Sequence, residues 1–172
     1  MNIFIFHSNP KTNAQQYCDA HVIKMITEHT QMMTTAFALS CPDEYKRLVS
    51  KGIPVMKILG KAHQNHPCTK WVRESIENFL YLWKLNQLLN KEWQFRFGHY
   101  RDHLAYTKMK NLGHPKLPYV DQTPFPLVMP DQFRSEDPVK SYRDFFVGAK
   151  SHLATWTNRE VPSWFPLLDV QT

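Results

Sequence analysis

The sequence predicts an all-α fold, a compact single domain over residues 1–172, built from a few long helices with irregular, proline-rich connections. Two long stretches, 15–39 and 69–97, contain no glycine or proline, and apolar side chains recur in both at the spacing of one helix face. Glycine is also scarce, because the chain has only 5, too few for a turn-dense β-sandwich. A length of 172 residues is usual for one domain.

The first half of the chain predicts four elements in order. Residues 2–6 are short and apolar, which indicates a buried extended segment that ends at the turn signal before Pro10. The stretch 15–39 predicts one helix of six or seven turns, by the usual 3.6 residues per turn. A short helix over 44–50 follows it, and residues 57–67 mix lysine, histidine and amide side chains as a surface loop does.

The second half is read in the same way. The stretch 69–97 predicts a long central helix that ends at Gly98, because glycine accepts the left-handed backbone found after a helix. Residues 115–138 are rich in proline and predict an irregular wrap over the surface. A helical pattern returns over 139–156, and the aromatic residues of 162–165 predict an edge that docks onto the fold.

Charge and cysteine usage narrow the class of protein. The formal net charge is +6 and the pI is about 9.2, which favours polyanionic partners. The three cysteines are widely spaced and form no CxxC pair, so neither a disulfide framework nor a zinc knuckle is indicated. No segment has the pattern of a signal peptide or of a membrane span, which predicts a cytoplasmic protein with no membrane partner.

One face of the first long helix carries the side chains best suited to chemistry. At 100° per residue, a narrow polar stripe borders the apolar face, formed by His21, Lys24, Glu28, Gln31 and Thr35. An imidazole, an ammonium and a carboxylate one turn apart form a plausible acid/base set. The alternative is an ordinary solvated face with an intrahelical Lys24–Glu28 pair.

A second group of polar side chains surrounds the start of the central helix, near Pro67. Backbone amides at a helix N-terminus attract phosphate, and the neighbouring side chains are His63, Asn65, His66, Lys70 and Arg73. These residues predict phosphate contacts, with a capped helix and solvated cations as the equal alternative. Trp164 predicts either base stacking or aromatic core packing.

Three collinear motifs resemble one family. Cys18-Asp19-Ala20-His21 leading to Glu28 resembles the first-helix motif of the phage pyrimidine-dimer DNA glycosylases of the endonuclease V type, in which an Asp-x-His is followed two helical turns later by the catalytic glutamate. The segment 57–67 is similar to that family's Gly- and His-containing loop before its central helix. Pro162-Ser163-Trp164-Phe165 is similar to its C-terminal aromatic edge.

The resemblance implies a DNA glycosylase, with or without a following lyase step, that bends double-stranded DNA on a basic face and serves in base-excision repair. In such enzymes an N-terminal α-amine attacks the sugar C1′, and the glutamate assists base departure. The implied catalytic residues are Glu28, the N-terminal residues Met1 and Asn2, and His21 and Asp19 in support. The implied DNA contacts are Lys24, Gln31, His63, Asn65, His66, Lys70, Arg73 and Trp164. The implied location is the cytoplasm of a bacterial or phage-infected cell.

The chain departs from the family pattern at its N-terminus. The family has a small residue after the initiator methionine, whereas Asn2 is large enough to predict that Met1 is retained and supplies the amine. Ile3 and Thr27 stand where the family has arginines. These differences favour a damaged or modified pyrimidine other than the thymine dimer as the target.

Two other classes of function stay open at this point. One is a phage DNA base-modifying transferase with Glu28 as general base, although no glycine-rich phosphate loop or other cofactor motif is present. The other is a non-catalytic DNA-binding or inhibitory protein. His99 and His103 are four residues apart but have no further ligand at a recognisable spacing, so we expect no metal. We also expect no cofactor and no obligate protein partner, because the sequence carries no recognisable motif for either.

Overall fold

The structure is a computed structural model that describes residues 1–166, and over these residues it is all-α, as the sequence predicts. Eight α-helices and no β-strand occur in that range: α1 Pro10–Gln16, α2 Asp19–Ser40, α3 Pro42–Ser50, α4 Lys61–Gln64, α5 Pro67–Glu74, α6 Ile76–Phe97, α7 Leu104–Met109 and α8 Pro138–Lys150. None of these helices is both long enough and apolar enough to cross a bilayer.

Helices α2 and α6 form the centre of the fold. Each has 22 residues, and they pack against each other, while α1 packs on α6 and α5 packs on both. The apolar residues they bury join one continuous cluster, which also takes in Tyr142 and Phe146 of α8. The extended segment 2–6 lies inside this cluster, so its predicted burial is confirmed.

The prediction of one helix over 15–39 is wrong, because the helix is interrupted between α1 and α2. Tyr17 and Cys18 have extended backbone angles there, with φ of −63° and −68° and ψ of 135° and 160°. The Tyr17 hydroxyl donates to the carbonyl of Phe4, 2.8 Å away, and its own carbonyl accepts from Arg96. Tertiary hydrogen bonds therefore replace the helical ones at this point.

The predicted central helix is also two helices, α5 and α6, separated at Ser75. The Ser75 hydroxyl accepts from the backbone of Asn78 at 3.0 Å, as an N-cap does, and Ile76 donates its backbone amide to Pro118. Serine competes with the helix backbone in this way, which explains the interruption. The predicted end at Gly98 is confirmed, since Gly98 has a φ of 67°.

The remaining boundaries differ by a few residues. Helix α3 begins at Pro42 rather than at residue 44, because proline is suited to a first helical turn. The predicted loop 57–67 contains the single turn α4. The predicted proline-rich wrap is irregular apart from a 3₁₀ turn at Asp131–Phe133, and α8 ends at Lys150 with a 3₁₀ turn at Ser151–Leu153.

A buried arginine connects α6 to the junction between α1 and α2. Arg96, near the end of α6, is 2% exposed and donates to the carbonyls of Gln15 and Tyr17, each at 2.8 Å. It also lies 3.1 Å from carboxylate oxygens of Asp19 and Glu92. Its guanidinium therefore binds the end of α1, the start of α2 and its own helix together.

The same cluster holds the C-terminal part of the described chain. Arg159 pairs with the second oxygen of Glu92 at 2.7 Å, and Thr157 donates its backbone amide and hydroxyl to Asp19. Asn158 donates to the carbonyl of Arg96. Every charged group in the cluster is thus paired with an opposite charge, as burial requires.

We predict that Arg96→Met lowers the free energy of unfolding by about 3–5 kcal/mol, because it leaves two largely buried carboxylates with one cation fewer. Chemical denaturation monitored by circular dichroism measures this. Arg47→Met is the matched control, since Arg47 pairs with Glu44 at the surface, where ion pairs contribute little. Equal unfolding midpoints for the two variants would contradict a stabilising role of the cluster.

Candidate active-site cleft

The extended segment 2–6 has no neighbouring strand, so side chains satisfy its backbone. Asn13 accepts from the amide of Phe6 at 2.7 Å and donates to the carbonyl of Phe4 at 3.1 Å. The Tyr17 hydroxyl donates to the same carbonyl, and Arg143 donates to the carbonyl of Phe6. These bonds fix the path of the chain as it approaches its first residue.

Asn2 is the last anchor before the terminus. Its Nδ2 donates to the carbonyl of Val128 at 2.9 Å, and its Oδ1 accepts from the hydroxyl of Tyr142 at 2.8 Å. The side chain is 8% exposed and is oriented by residues far away along the chain. Asn2, predicted as part of the site, therefore positions Met1 through contacts with the core.

The α-amine of Met1 lies against the carboxylate of Glu28. Its nitrogen is 3.7 Å from Glu28 Oε2, and Lys24 Nζ is 3.4 Å from the other oxygen, Oε1. The Glu28 side chain is only 14% exposed. The chain terminus and the middle of α2 thus place an amine and a carboxylate in one site, at a distance that a water molecule or a small adjustment would bridge.

These groups line a cavity of about 140 Å³. Its other walls are Asn2, Phe4, His21, Met25, Val128, Phe145 and Lys150. The ring of His21 stacks on Phe4, with 4.3 Å between centroids and 18° between planes. The cavity lining therefore combines aromatic rings with the amine, the carboxylate and two lysines.

His21 is neutral at physiological pH. Burial, together with the positive charges of Lys150 and Lys24, lowers its pKa to about 4. Its Nδ1 is buried without a hydrogen-bond partner among the described residues. His21 is therefore suited to donate or accept a hydrogen bond from a bound molecule rather than to act as a cation.

His66, at the start of α5, lies on the same side of the molecule as the amine. Its Nδ1 accepts from the backbone amide of Cys68 at 3.2 Å and so caps α5. Its pKa is lowered by partial burial and then by the positive charge of the N-terminal amine. The structure thus brings Met1, His21, Lys24 and Glu28 together in the cavity lining, which does not include His66.

Asp19 lies outside the cleft. Both of its carboxylate oxygens are engaged by Arg96 and by the backbone and hydroxyl of Thr157. Its position at the start of α2 also suits the positive end of that helix. These contacts make Asp19 a structural neighbour of the site, at the start of the helix that carries Glu28.

The other residues predicted to bind DNA differ in exposure. Lys70, His63 and Asn65 are exposed around α4 and α5, whereas Arg73 donates to the carbonyl of Gln64 and ties these helices together. Gln31 is half-buried in α2, beyond Glu28.

Trp164 is packed against the fold. Its ring stacks on Phe6 with centroids 5.0 Å apart, and its Nε1 donates to Gln16 at 2.9 Å. The ring of Phe165 packs on Trp156 beside it. The docked aromatic edge is thus present, and base stacking by Trp164 stays a prediction.

Sequence reasoning missed Lys150, Phe145 and Val128. All three lie on segments remote from α2 in the sequence, and no spacing or motif links them to Glu28 before the chain is folded.

A larger cleft of about 560 Å³ lies near Trp93, but there Lys110 neutralises Asp102 and His103 caps α7. Size alone therefore does not identify the site.

No protein-family model, curated protein or solved structure matches this chain. Function is therefore inferred from the geometry of the cleft and from the motif resemblance.

We predict that stability falls with acid through two buried histidines. His29 is fully buried, and burial lowers its pKa to about 3, while that of His21 is about 4. In the unfolded chain both histidines have a pKa of about 6.5, so they bind protons at a pH at which the folded chain keeps them neutral. The stability from these groups is complete above about pH 6.5 and is lost as the pH falls towards 4 and then 3.

His29→Leu removes one of the two histidines that take up a proton on unfolding. Between about pH 6 and 4.5, the slope of the unfolding free energy against pH should therefore be smaller than that of the native protein by about 1.4 kcal/mol per pH unit. Urea titrations at several pH values measure the slope, and His152→Leu, at an exposed position, is the control. A native slope in the His29 variant would contradict the prediction.

Proposed function

We propose that this protein is a DNA glycosylase that removes a damaged or modified pyrimidine and then cleaves the strand as a lyase. The observation that carries the proposal is the 3.7 Å separation of the Met1 α-amine and the Glu28 carboxylate in a cation-lined cavity. The net charge of +6 supports a nucleic-acid partner. The motif resemblance points to the same chemistry.

The first step is substitution at the sugar. The unprotonated amine attacks C1′, the C1′–N bond to the base breaks, and the departing base takes the electron pair and a proton. The new C1′–N bond then becomes an imine, because the nitrogen loses a proton while the C1′–O4′ bond breaks and O4′ is protonated. Glu28 lies close enough to the amine to carry these protons.

The second step is elimination. Glu28 removes a proton from C2′, the C3′–O bond breaks, and its electron pair leaves with the phosphate. Water then hydrolyses the imine and releases the amine. Both steps use one amine and one carboxylate, which the cleft supplies.

An α-amine is better suited to this role than a lysine. Its ordinary pKa is about 8, whereas that of lysine is about 10.4, so more of it is unprotonated near neutral pH. Lys24 is 65% exposed and lies beside the same carboxylate as its counter-ion. The base must leave the stack to expose C1′, and extrusion is the usual route for enzymes that act on a base in a duplex.

We predict that Glu28→Gln retains the fold and DNA binding but lowers strand cleavage by about 10²–10⁴-fold, since the amide has the same shape and cannot exchange a proton. A duplex with one abasic site is the substrate, because it presents C1′ as an aldehyde whatever the natural target base. Glu136→Gln, at an exposed position, is the control. Full cleavage by the Glu28 variant would exclude the proposed acid/base role.

We predict that blocking the amine abolishes the reaction. Acetylation of Met1, or a Gly-Ser extension before it, should eliminate both strand cleavage and borohydride trapping on abasic DNA, because the nitrogen is displaced or loses its nucleophilic lone pair. Intact mass spectrometry establishes that Met1 is the first residue of the protein used, and circular dichroism checks the fold.

Borohydride trapping also separates the classes of function. An imine is reduced to a permanent crosslink, whereas a transferase with Glu28 as general base or a non-catalytic DNA-binding protein gives none. A crosslink that peptide mapping places on a lysine would refute the amine mechanism and keep the lyase class.

A further inference from the structure

The cleft holds more positive charge than its one carboxylate balances. The Met1 amine and Lys24 each contact one oxygen of Glu28. Lys150 lines the same cavity, and within residues 1–166 its ammonium has no carboxylate within 4.0 Å. One lysine of the cleft is therefore left for a ligand.

The position of Lys150 is defined by its surroundings. It is the last residue of α8, half-buried, and its ammonium lies 5.2 Å from the ring centroid of Phe145, another wall of the cavity. Its charge, together with that of Lys24, acts on the imidazole of His21. Lys150 therefore reaches the cavity from α8, a different element from the one that carries Lys24 and Glu28.

A buried polar group in the same cavity also lacks a partner. His21 is 5% exposed, and its Nδ1 has no hydrogen-bond partner among the described residues. Buried polar atoms are usually paired, and exceptions tend to mark sites that a ligand or water completes. Within residues 1–166, an ammonium without a carboxylate partner and an imidazole nitrogen without a hydrogen-bond partner thus line one cavity, and both suit an anion with several oxygen acceptors.

We propose that Lys150 binds the DNA phosphate on the 3′ side of the sugar that the Met1 amine attacks. The inference rests on the function proposed above. The phosphate that Lys150 binds is the group that leaves in the elimination step. A phosphodiester fits because it is the anion nearest to the reacting C1′ on that side, and a lysine binds phosphate as a point charge.

The charge balance of the elimination explains why a free cation is needed. When the C3′–O bond breaks, its electron pair stays on the phosphate oxygen, so a monoanionic diester becomes a dianionic monoester. Glu28 has taken the C2′ proton and is neutral, so it adds no negative charge beside the leaving phosphate, and within residues 1–166 Lys150 is the cleft lysine that has no carboxylate partner before the step. Lys150 stabilises the added negative charge by donating hydrogen bonds to the departing oxygen.

The first test separates elimination from imine formation. On abasic duplex at saturating protein, Lys150→Met should lower the single-turnover cleavage rate at least about 10-fold, within the effect usual for one lost electrostatic contact. Borohydride trapping should change less than about 3-fold, because imine formation precedes phosphate departure. Lys150→Arg should restore most of the cleavage, and Lys46→Met, on α3 at an exposed position, should change neither readout. Equal cleavage by the Lys150→Met and Lys46→Met variants would overturn the proposal.

The second test identifies the phosphate by binding, in the Glu28→Gln background so that little cleavage occurs during the measurement. Lys150→Met should reduce the slope of log affinity against log salt by about 0.9, the value for one phosphate contact. Replacing the 3′ phosphate by a neutral methylphosphonate should produce the same loss, and the two changes together should cost no more than either alone. Additive losses would refute this contact.

Failure of the proposed function gives a different pattern. Suppose that the native chain forms no trapped imine, but that the losses of affinity from Lys150→Met and from the methylphosphonate do not add. The phosphate contact then stands, and the amine chemistry is wrong. If trapping succeeds and Lys150→Met behaves as Lys46→Met does, the chemistry stands and the inference about Lys150 is wrong. Absence of DNA binding at low salt refutes both.

Discussion

The structure depends on burying an extended N-terminal segment that has no strand to pair with. Residues 3–6 are almost completely buried, and a peptide backbone in that environment must satisfy each amide and carbonyl. Asn13 and Tyr17, in α1 and at its C-terminal end, and Arg143 of α8 supply partners, and the side chain of Asn2 accepts from the amide of Ile3. Because these bonds fix the segment, the amine at its end is held beside Glu28 instead of moving as an ordinary chain terminus does.

The Arg96 cluster solves a related problem at the other side of α2. The break between α1 and α2 leaves carbonyl groups without helical partners, and one guanidinium satisfies two of them while neutralising Asp19 and Glu92. The break in turn lets α1 turn away from α2 and lets Tyr17 reach the N-terminal segment. A buried ion cluster and a buried strand-like segment therefore stabilise the same corner of the fold.

The sequence contains the fold class, because helical periodicity is local and dominates the two long stretches. The interruptions at Tyr17 and Ser75 are harder to predict, since Tyr17 leaves the helix for a hydrogen bond to Phe4 and Ser75 is only one of several serines in the chain. In the site, the spacing of His21, Lys24 and Glu28 on one helix face is visible in the sequence. Lys150 is not, because the proximity of α8 to α2 is a property of the folded chain alone, and its proposed role follows from geometry.

The hydrogen bond between Asn2 and Tyr142 spans 140 residues of chain. Contacts of such separation form late, because closing a long loop costs entropy before any packing repays it. During synthesis, the apolar run Ile3-Phe4-Ile5-Phe6 leaves the ribosome long before α8 does and must wait for it. Until then it is an exposed stretch of high β-propensity, the kind of segment that seeds aggregation. The arrangement that holds Met1 in place thus makes the nascent chain dependent on the translation of α8, or on a chaperone that covers residues 3–6 until α8 is made.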